Sequence, residues 1–248
     1  MRFIWAANWK LNKSPQESLE TINELLELVP KQLHSQVLVF PQNFSVGVLA
    51  SLLSKTSMTW GSQNIHPENE GAFTGENSPK ILKEMGGTHA LVGHSERRHL
   101  FGETNDFLAR KVSSAQKERL TPVYCVGETL EEREANKTKA VLEEQLKVGL
   151  QFCDFQKPII IAYEPVWAIG TGKVANAEQV LEAHAFIRNY LKEMTQADFA
   201  EKTPILYGGS VKADNAGVLS KIANVNGFLV GGASLKADSF HQIIQASL

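Results

Sequence analysis

Side chains that could move a proton follow several short apolar segments of the chain. Asn8 and Lys10 come at the end of the first such segment, and His94 comes after the fourth. Glu164 ends the sixth. An ammonium, an imidazole and a carboxylate that face one cavity can polarise an oxygen atom and transfer a proton. The sequence therefore predicts acid–base chemistry on a small molecule, if the fold brings these residues together.

Glu164 is the residue whose position alone argues most strongly for a function. It ends a continuously apolar segment, where a carboxylate is costly to bury without a purpose. Lys10 and His94 are less informative singly, because a lone lysine or histidine at a strand end is more often solvated or structural. Cys125 lies inside the fifth apolar segment. If these residues line one cavity, a common catalytic role is favoured over separate structural roles.

Two glycine-rich turns follow the seventh and eighth segments. They are Gly208-Gly209-Ser210 and Gly231-Gly232-Ala233. Backbone N–H groups at such turns are unblocked and can bind a phosphate, above all where a short helix begins. Although a Gly-Gly pair is more often only a turn, these two predict a phosphate site beside the acid–base residues.

The elements that must position these residues alternate regularly. We count eight short apolar or β-branched segments, and several are apolar at every position, as parallel strands covered on both faces require. Their starts are about 32 residues apart on average, close to the ~31 expected when ~250 residues form eight βα units. The segments are 3–8, 36–40, 58–63, 88–93, 121–126, 159–164, 204–208 and 226–231.

Helix start signals lie between these segments. Ser14 to Glu17 combines an N-cap, a first-turn proline and a capping-box glutamate. We therefore predict an α/β fold, a single (β/α)8 barrel over residues 1–248 with eight parallel strands ringed by helices; an open doubly wound sheet is the alternative. Parts of the capping pattern recur at Ser78-Pro79, at Thr129 with Glu132, and at Asn176 with Gln179.

Composition and charge exclude other classes of protein. Of the 248 residues, 43% are hydrophobic, which suffices for a large core and rules out disorder as the main state. The net charge of -2 leaves no positive field for a nucleic-acid backbone or an anionic membrane. The N-terminus has no secretory pattern, and the two cysteines are Cys125 and Cys153. We expect a cytoplasmic protein with reduced thiols, whose partner is a small molecule.

Gly170 to Ala175 satisfies the dinucleotide-binding pattern G-x-G-x-x-G/A, with Glu193 about twenty residues further on. The context contradicts this interpretation. Five residues separate the strand from Gly170, and the helix is predicted to begin only at Asn176. Glu193 then falls inside that helix rather than at the end of a following strand. We therefore do not expect nucleotide binding.

Two loops interrupt the alternation of strands and helices. Asn64 to Asn77 carries glycines and scattered charges, and a loop of this length in a compact domain usually has a function. Pro165 to Ala175 is apolar and glycine-bearing, which is unusual for a segment that only crosses a wet surface. We expect both loops to serve the site or a partner.

Six blocks of the sequence together resemble the signature segments of the triosephosphate isomerase family. They occur in the family order and extend over nearly the whole chain, so that chance agreement is negligible. The blocks are Asn8 to Asn12, Gly93 to Arg98, Cys125 to Glu128, Ala162 to Gly172, Tyr207 to Ser210, and Gly231 to Leu235.

The resemblance implies a homodimeric enzyme without cofactor or metal that interconverts dihydroxyacetone phosphate and glyceraldehyde 3-phosphate in glycolysis and gluconeogenesis. It implies that Glu164 is the base that moves a proton between two substrate carbons. His94 would be the electrophile that hydrogen-bonds the carbonyl and enediolate oxygens. Lys10 would supply positive charge, Asn8 a further donor, and Glu96 would hold Lys10 in place.

The resemblance also assigns a phosphate site, a subunit contact and a lid. Main-chain N–H groups of Gly170, Ser210, Gly231 and Gly232 would bind the phosphate. Thr74, in the 64–77 loop, would reach the site of the partner subunit. A lid hinged near both of its ends would exclude water from the intermediate. Its residues are Pro165, Val166, Trp167, Ala168, Ile169, Thr171, Gly172, Lys173, Val174 and Ala175.

One departure from the family pattern concerns local packing. Asn226 stands where the family more often has aspartate, before the last glycine-rich turn. It does not lie on the expected proton path.

Two rival interpretations are a barrel aldolase and a catalytically inactive protein of the same fold. A barrel aldolase would use a lysine as a Schiff-base nucleophile, whereas the sixth segment here ends in the carboxylate of Glu164. A catalytically idle protein of the same fold should have lost an active-site group, yet Asn8, Lys10 and His94 are also present.

Overall fold

The computed structural model describes residues 2–169 and 173–248. Eight parallel strands form a closed barrel in which each strand pairs with the next along the chain, and the eighth pairs with the first. The predicted (β/α)8 barrel is thereby confirmed and the open sheet is excluded. The strands are β1 Ile4–Asn8, β2 Val37–Phe40, β3 Thr59–Ser62, β4 His89–Val92, β5 Thr121–Val126, β6 Ile160–Tyr163, β7 Ile205–Tyr207 and β8 Gly227–Val230.

Helices surround the barrel and connect successive strands. The predicted N-caps stand where helices begin: Ser14, Thr129 and Asn176 form complete capping boxes, and Ser78 accepts the N–H of Ile81. Such caps satisfy N–H groups that have no partner within the helix. The helices are α1 Pro15–Leu28, α2 Val46–Leu53, α3 Pro79–Glu84, α4 Ser95–His99, α5 Asn105–Lys117, α6 Leu130–Glu134, α7 Thr138–Gly149, α8 Ala177–Met194, α9 Ala197–Lys202, α10 Ala213–Leu219 and α11 Ala237–Ala246.

Short 3-10 turns complete the secondary structure of the described residues, and two of them lie next to the strand ends that matter for function. They are Lys31–Gln36, Asn43–Ser45, Val166–Ala168 and Gly232–Ser234. None of the helices seen in residues 2–169 and 173–248 has both the length and the apolar character that a membrane crossing requires.

The strands are apolar at most positions because both of their faces are buried. Successive side chains point alternately into the barrel and outward beneath the helices. Leu38 and Leu229 fill the interior, whereas Trp5, Trp60 and Phe228 pack in the outer layer between strands and helices. Each fully buried large apolar side chain stabilises the fold by about 1.5–3 kcal/mol relative to exposure. The result is a rigid barrel whose strand ends are fixed relative to one another.

Candidate active site

A cavity of about 200 Å³ opens at the carboxyl ends of the strands. Asn8, Lys10, His94 and Glu164 all line it. They belong to β1 and to the segments that follow β1, β4 and β6, so only closure of the barrel brings them together. The rest of the wall consists of Ile169, the end of β8 and the turns after β7 and β8.

Glu164 directly follows β6 and projects into this cavity. Its N–H donates to the carbonyl oxygen of Val126 (2.7 Å), which extends the β5–β6 pairing by one residue. The side chain is only 3% exposed. Its Oε2 accepts the N–H of Ser95 (2.8 Å). A buried carboxylate needs donors of this kind because its desolvation is otherwise costly.

Glycine at position 208 leaves room for this carboxylate. A Cβ there would lie 2.9 Å from Cγ of Glu164 and 3.2 Å from the carbonyl oxygen of Tyr163. The N–H of Gly208 donates to that same carbonyl (2.7 Å). A larger residue would therefore displace Glu164, a requirement that the glycine-rich turn did not reveal in the sequence.

His94 lies between β4 and α4 and caps α4 with its own ring. Its Nδ1 accepts the N–H of Glu96 (3.3 Å), which places the ring proton on Nε2. Nε2 lies 3.1 Å from Oε1 of Glu164. The imidazole N–H thus points to the part of the cavity where the carboxylate lies.

Lys10 reaches the cavity from the loop after β1. Its Nζ lies 2.5 Å from Oε1 of Glu96, the contact that the sequence analysis expected. Its backbone N–H donates to Oδ1 of Asn8 (3.0 Å). The φ of Lys10 is 52°, in the left-handed region that non-glycine residues rarely adopt. Lys10 and Glu96 are both partly exposed, so their ion pair orients the ammonium more than it stabilises the fold.

Gln63, which was not among the residues predicted from the sequence, holds this strained residue. Its Nε2 donates to the carbonyl oxygens of Lys10 (2.8 Å) and Phe40 (3.0 Å). Phe40 ends β2, so one amide group links the ends of three neighbouring strands. The available signal was position: Gln63 directly follows β3, as the other candidates follow their strands.

Cys125 lies in β5, near Glu164, and is fully buried. Burial, and after it the negative charge of Glu164, raise the pKa of the Cys125 thiol well above its usual value. The thiol therefore stays protonated and neutral, and it does not offer a nucleophile.

The glycine-rich turns line the cavity on the side of β7 and β8. Ser210 Oγ donates to the carbonyl oxygen of Ala168 (2.7 Å), which joins the β7 turn to the 165–175 loop. Gly231 and Gly232 also line the cavity. A Cβ on Gly231 would lie 3.4 Å from Cε of Lys10, so the turn packs close to the lysine stem. All the predicted phosphate residues that the structure describes thus face the same space.

The 165–175 loop begins at buried Pro165 with the 3-10 turn Val166–Ala168, and Ile169 lines the cavity. Ala175 is buried at the far end, ahead of α8. Its exposed neighbours are Lys173 and Val174. Three residues on which part of the lid and phosphate predictions fall lie outside the described residues: Gly170, Thr171 and Gly172.

Glu128, for which no role was predicted from the sequence, anchors the first half of this loop. Its fully buried carboxylate accepts the indole N–H of Trp167 (3.0 Å) and the hydroxyl of Tyr163 (3.1 Å). Arg133 neutralises its charge from 2.9 Å. The N–H of Val166 donates to the Glu128 carbonyl oxygen (3.1 Å). Burial and then the nearby Glu128 charge raise the pKa of Tyr163 well above its usual value, so its hydroxyl remains a donor.

The loop between β3 and α3 carries Thr74 at an exposed position. The N–H of His66 donates to the carbonyl oxygen of Asn77 (2.8 Å), which closes the loop at its base. Exposed apolar side chains occur in this loop and in the neighbouring loops after β1, β2 and β4. They are Leu11, Phe44, Phe73, Leu100 and Phe101.

Within residues 2–169 and 173–248, no three His, Cys, Asp or Glu side chains form a group that could hold a metal ion. The polar side chains that line the cavity are the carboxylate of Glu164, the imidazole of His94, the ammonium groups of Lys10 and Lys212, the amide of Asn8 and the hydroxyl of Ser210. Such a set suits proton transfer next to a carbonyl in an anionic substrate.

The chain matches known proteins along nearly its whole length. The family model described as triosephosphate isomerase matches residues 3–247. The chain is 52% identical over 243 residues to triosephosphate isomerase of Bdellovibrio bacteriovorus, which covers 98% of this chain and 99% of the relative. It is 48% identical over 242 residues to the enzyme of Chlamydia muridarum, with 96% and 88% covered. The crystal structure of triosephosphate isomerase from Bartonella henselae superimposes with a TM-score of 0.90 at 37% identity, over 99% of each chain. The chain therefore belongs to the triosephosphate isomerase family.

Proposed function

We propose how the residues of this cavity carry out the reaction of the family, the interconversion of dihydroxyacetone phosphate and glyceraldehyde 3-phosphate. The observation that carries the proposal is the 3.1 Å contact between Oε1 of Glu164 and Nε2 of His94 in one cavity. A base and a hydrogen-bond donor so close together can act on adjacent atoms of one substrate. The chain works as one catalytic domain over residues 1–248, and the proton transfer needs no cofactor.

Glu164 is the base. Its carboxylate removes a proton from one substrate carbon and returns it to the neighbouring carbon, so that the C–H bond moves while an enediolate forms between the two steps. Its buried position excludes competing water. During this reaction the carboxylate must leave the N–H of Ser95 and the ring of His94 and turn to the substrate.

His94 stabilises the negative oxygen that forms. Nδ1 already accepts the Glu96 N–H, so Nε2–H is the donor directed at the carbonyl oxygen. One preorganised donor of this kind can contribute about 3–4 kcal/mol to the transition state. The same N–H serves both substrate oxygens, which lie on adjacent carbons.

Lys10 and Asn8 complete the electrostatic environment. The Lys10 ammonium supplies positive charge to a dianionic substrate, and Glu96 holds it from 2.5 Å. Oδ1 of Asn8 accepts the Lys10 backbone N–H. The NH2 group of Asn8 is therefore left to donate to the substrate. The charge of Lys10 is thereby fixed in place before substrate binds.

The phosphate binds at the turns after β7 and β8. Main-chain N–H groups of Ser210, Gly231 and Gly232 are the donors, together with Gly170. The 165–175 loop acts as a lid that closes over the substrate, because an exposed enediolate would expel its phosphate. The Ser210 to Ala168 hydrogen bond supports this proposal, since it already couples the phosphate turn to the loop.

The chain forms a homodimer through the 64–77 loop, with Thr74 inserted beside the site of the partner. Support comes from the exposed apolar side chains around that loop, because monomeric proteins rarely expose a large apolar patch. Leu11, Gly75 and Phe101 line a groove next to Lys10 that such a loop could fill. Sedimentation of Thr74→Arg against the unchanged chain tests the contact; a dimer of undiminished stability would contradict it.

We place the protein in the cytoplasm, as the sequence analysis expects, and in glycolysis and gluconeogenesis. A coupled isomerase assay on the purified protein tests the activity in both directions. Borohydride added with dihydroxyacetone phosphate separates the aldolase alternative, since a covalent adduct on Lys10 would show a Schiff base. Absence of isomerase turnover would instead indicate a catalytically inactive protein of the same fold.

A further inference from the structure

Arg98 is a half-buried cation that no proposed step of the reaction uses. Its guanidinium donates four hydrogen bonds to neutral acceptors, and no carboxylate among the described residues pairs with it. The acceptors are the carbonyl oxygens of Gly93 (2.9 Å) and Cys125 (2.9 Å), Oδ1 of Asn105 (2.6 Å) and the hydroxyl of Tyr124 (3.0 Å). One side chain therefore joins the turn after β4 to β5 and to the start of α5.

The turn that Arg98 holds is shaped to receive it. Gly93 has a φ of 74°, which L side chains rarely adopt. A Cβ at this position would lie 3.1 Å from Nη2 of Arg98 and 2.9 Å from Cδ1 of Leu108. Glycine is needed here because the guanidinium packs directly against the turn.

Two groups of the active site depend on where this turn lies. His94 directly follows Gly93, and the N–H of Ser95 donates to Oε2 of Glu164 (2.8 Å). The bond from the Glu96 N–H to the His94 ring is long, at 3.3 Å, and holds the ring only loosely. Firm placement must come from the links between the turn and the barrel.

Those links lead to the strand beside Glu164. Cys125, whose carbonyl oxygen Arg98 binds, pairs with Ala162 in β6. Glu164 lies two residues beyond Ala162 and is bonded to the same strand, β5, through Val126. Arg98 thus connects the turn that bears the imidazole to the strand that positions the carboxylate.

We propose that Arg98 is a positioning residue for the isomerisation, which sets the place of His94 Nε2 relative to the Glu164 carboxylate. The proposal rests on the roles given above to His94 and Glu164. Arginine suits the task because its planar guanidinium presents donors in several fixed directions, whereas a lysine ammonium cannot reach four such acceptors. Misplacement of a catalytic group by about 1 Å can cost on the order of 10²-fold in rate.

Steady-state kinetics of Arg98→Lys with glyceraldehyde 3-phosphate test this proposal. We expect kcat to fall by about tenfold or more, since misplacement acts on the chemical step. KM should stay close to that of the unchanged chain, because the phosphate turns after β7 and β8 do not contact Arg98. An unchanged kcat would overturn the proposal.

Arg188→Lys is the matched control. Arg188 is buried and, like Arg98, donates to neutral acceptors, among them the carbonyl oxygen of Thr203 (2.7 Å), but at the amino ends of the strands. We expect it to lower the Tm and leave kcat unchanged. A kcat loss in Arg188→Lys equal to that in Arg98→Lys would mean that general loosening of the barrel explains both, and would refute a specific role.

A double variant shows whether Arg98 acts through His94. In a His94→Gln background, Arg98→Lys should cost little further kcat, whereas an equal loss in both backgrounds would overturn the proposal. Undiminished kcat in His94→Gln alone would instead refute the role of His94, and this proposal with it.

If Arg98→Lys does not fold, Arg98→Ala with added guanidinium provides a second test. Guanidinium that occupies the vacated space should raise kcat in this variant and not in the unchanged chain. Failure of guanidinium to raise kcat in folded Arg98→Ala would overturn the proposal.

Discussion

Oε1 of Glu164 lies 3.1 Å from Nε2 of His94, although the two residues follow strands that are not neighbours in the barrel. The Ser95 N–H holds the other carboxylate oxygen. Both side chains are buried, so the packing of the barrel fixes their contact, unlike a contact between mobile surface side chains. In the proposed reaction, a substrate enters between them and takes over the hydrogen bond of each.

Shortening the base should slow the reaction without abolishing binding. Glu164→Asp withdraws the carboxylate by about 1 Å, and we expect kcat to fall on the order of 10²-fold with KM nearly unchanged. Steady-state kinetics in the coupled assay measure both constants. Glu143→Asp, on the exposed surface of α7, serves as control. Full turnover in Glu164→Asp would remove this residue as the base.

Gln63 should act on catalysis through Lys10. Gln63→Leu removes both donors that hold the Lys10 and Phe40 carbonyl oxygens, and we expect kcat/KM to fall by about tenfold as the strained lysine relaxes, a loss of about 1.4 kcal/mol. In a Lys10→Ala background the same change should have little effect. Equal losses with and without Lys10 would show that Gln63 serves the fold alone.

Ser210 should contribute to substrate binding and to lid position together. Ser210→Ala removes the hydroxyl that donates to Ala168, a hydrogen bond worth about 1 kcal/mol, and we expect KM to rise about fivefold. Titration with inorganic phosphate, which binds the same turn, should show weaker affinity. Ser220→Ala, on α10's C-terminal side, is the control. Unaltered phosphate affinity in Ser210→Ala would contradict the proposed coupling.

His184 should make the fold sensitive to acid. Its ring is fully buried in α8, and burial lowers its pKa to about 4 from an unfolded value of 6.5, against the opposing effect of the Asn224 carbonyl. Between pH 6.5 and 4 the unfolded chain therefore binds a proton that the folded chain does not, so stability falls as pH falls.

At pH 5 this proton uptake by the unfolded chain lowers the free energy of unfolding by about 2 kcal/mol relative to neutral pH. We expect His184→Gln to lose less of its free energy of unfolding than the unchanged chain between pH 7.5 and pH 5. Urea unfolding at constant protein concentration measures the difference, with the exposed His99→Gln as control. Parallel losses in His184→Gln and the unchanged chain would rule out this contribution.

Substitution of Asn226 by aspartate should stabilise the fold. Its Oδ1 accepts from Nη2 of Arg188 (2.9 Å) and from the N–H of Ile205 (3.0 Å). The Arg188 side chain is buried, and burial lowers the pKa of its guanidinium. Asn226→Asp would give this cation a charged partner, and we expect a gain of about 1–2 kcal/mol near neutral pH, lost in acid as the carboxylate is protonated.

Thermal unfolding of Asn226→Asp and Asn226→Ala measures this effect. The alanine variant should be less stable than the unchanged chain because it leaves the Ile205 N–H and Nη2 of Arg188 without their acceptor. A lower Tm for Asn226→Asp would show that the desolvation of the carboxylate exceeds its attraction to Arg188.

The sequence predicted the strands to within one residue at each end. The strand prediction succeeded because a strand buried on both faces must be apolar throughout, and such apolar runs can be recognised in the sequence alone. Capping residues such as Ser14 and Asn176 could also be recognised in the sequence, because an N-cap bonds to backbone groups only a few residues away. The candidate residues Lys10, His94 and Glu164 could also be chosen from the chain, since each stands near the end of a strand.

Only the tertiary structure decided which groups touch. Glu128 and Arg98 carried no local signal, and Gln63 carried only its position after β3. Their partners lie on other strands and loops and are brought near only by closure of the barrel. The need for glycine at 208 has the same origin, since the atom it accommodates belongs to Glu164, directly after the neighbouring strand β6. Sequence records the preferences of each segment, whereas hydrogen-bond geometry between segments exists only once the chain has closed on itself.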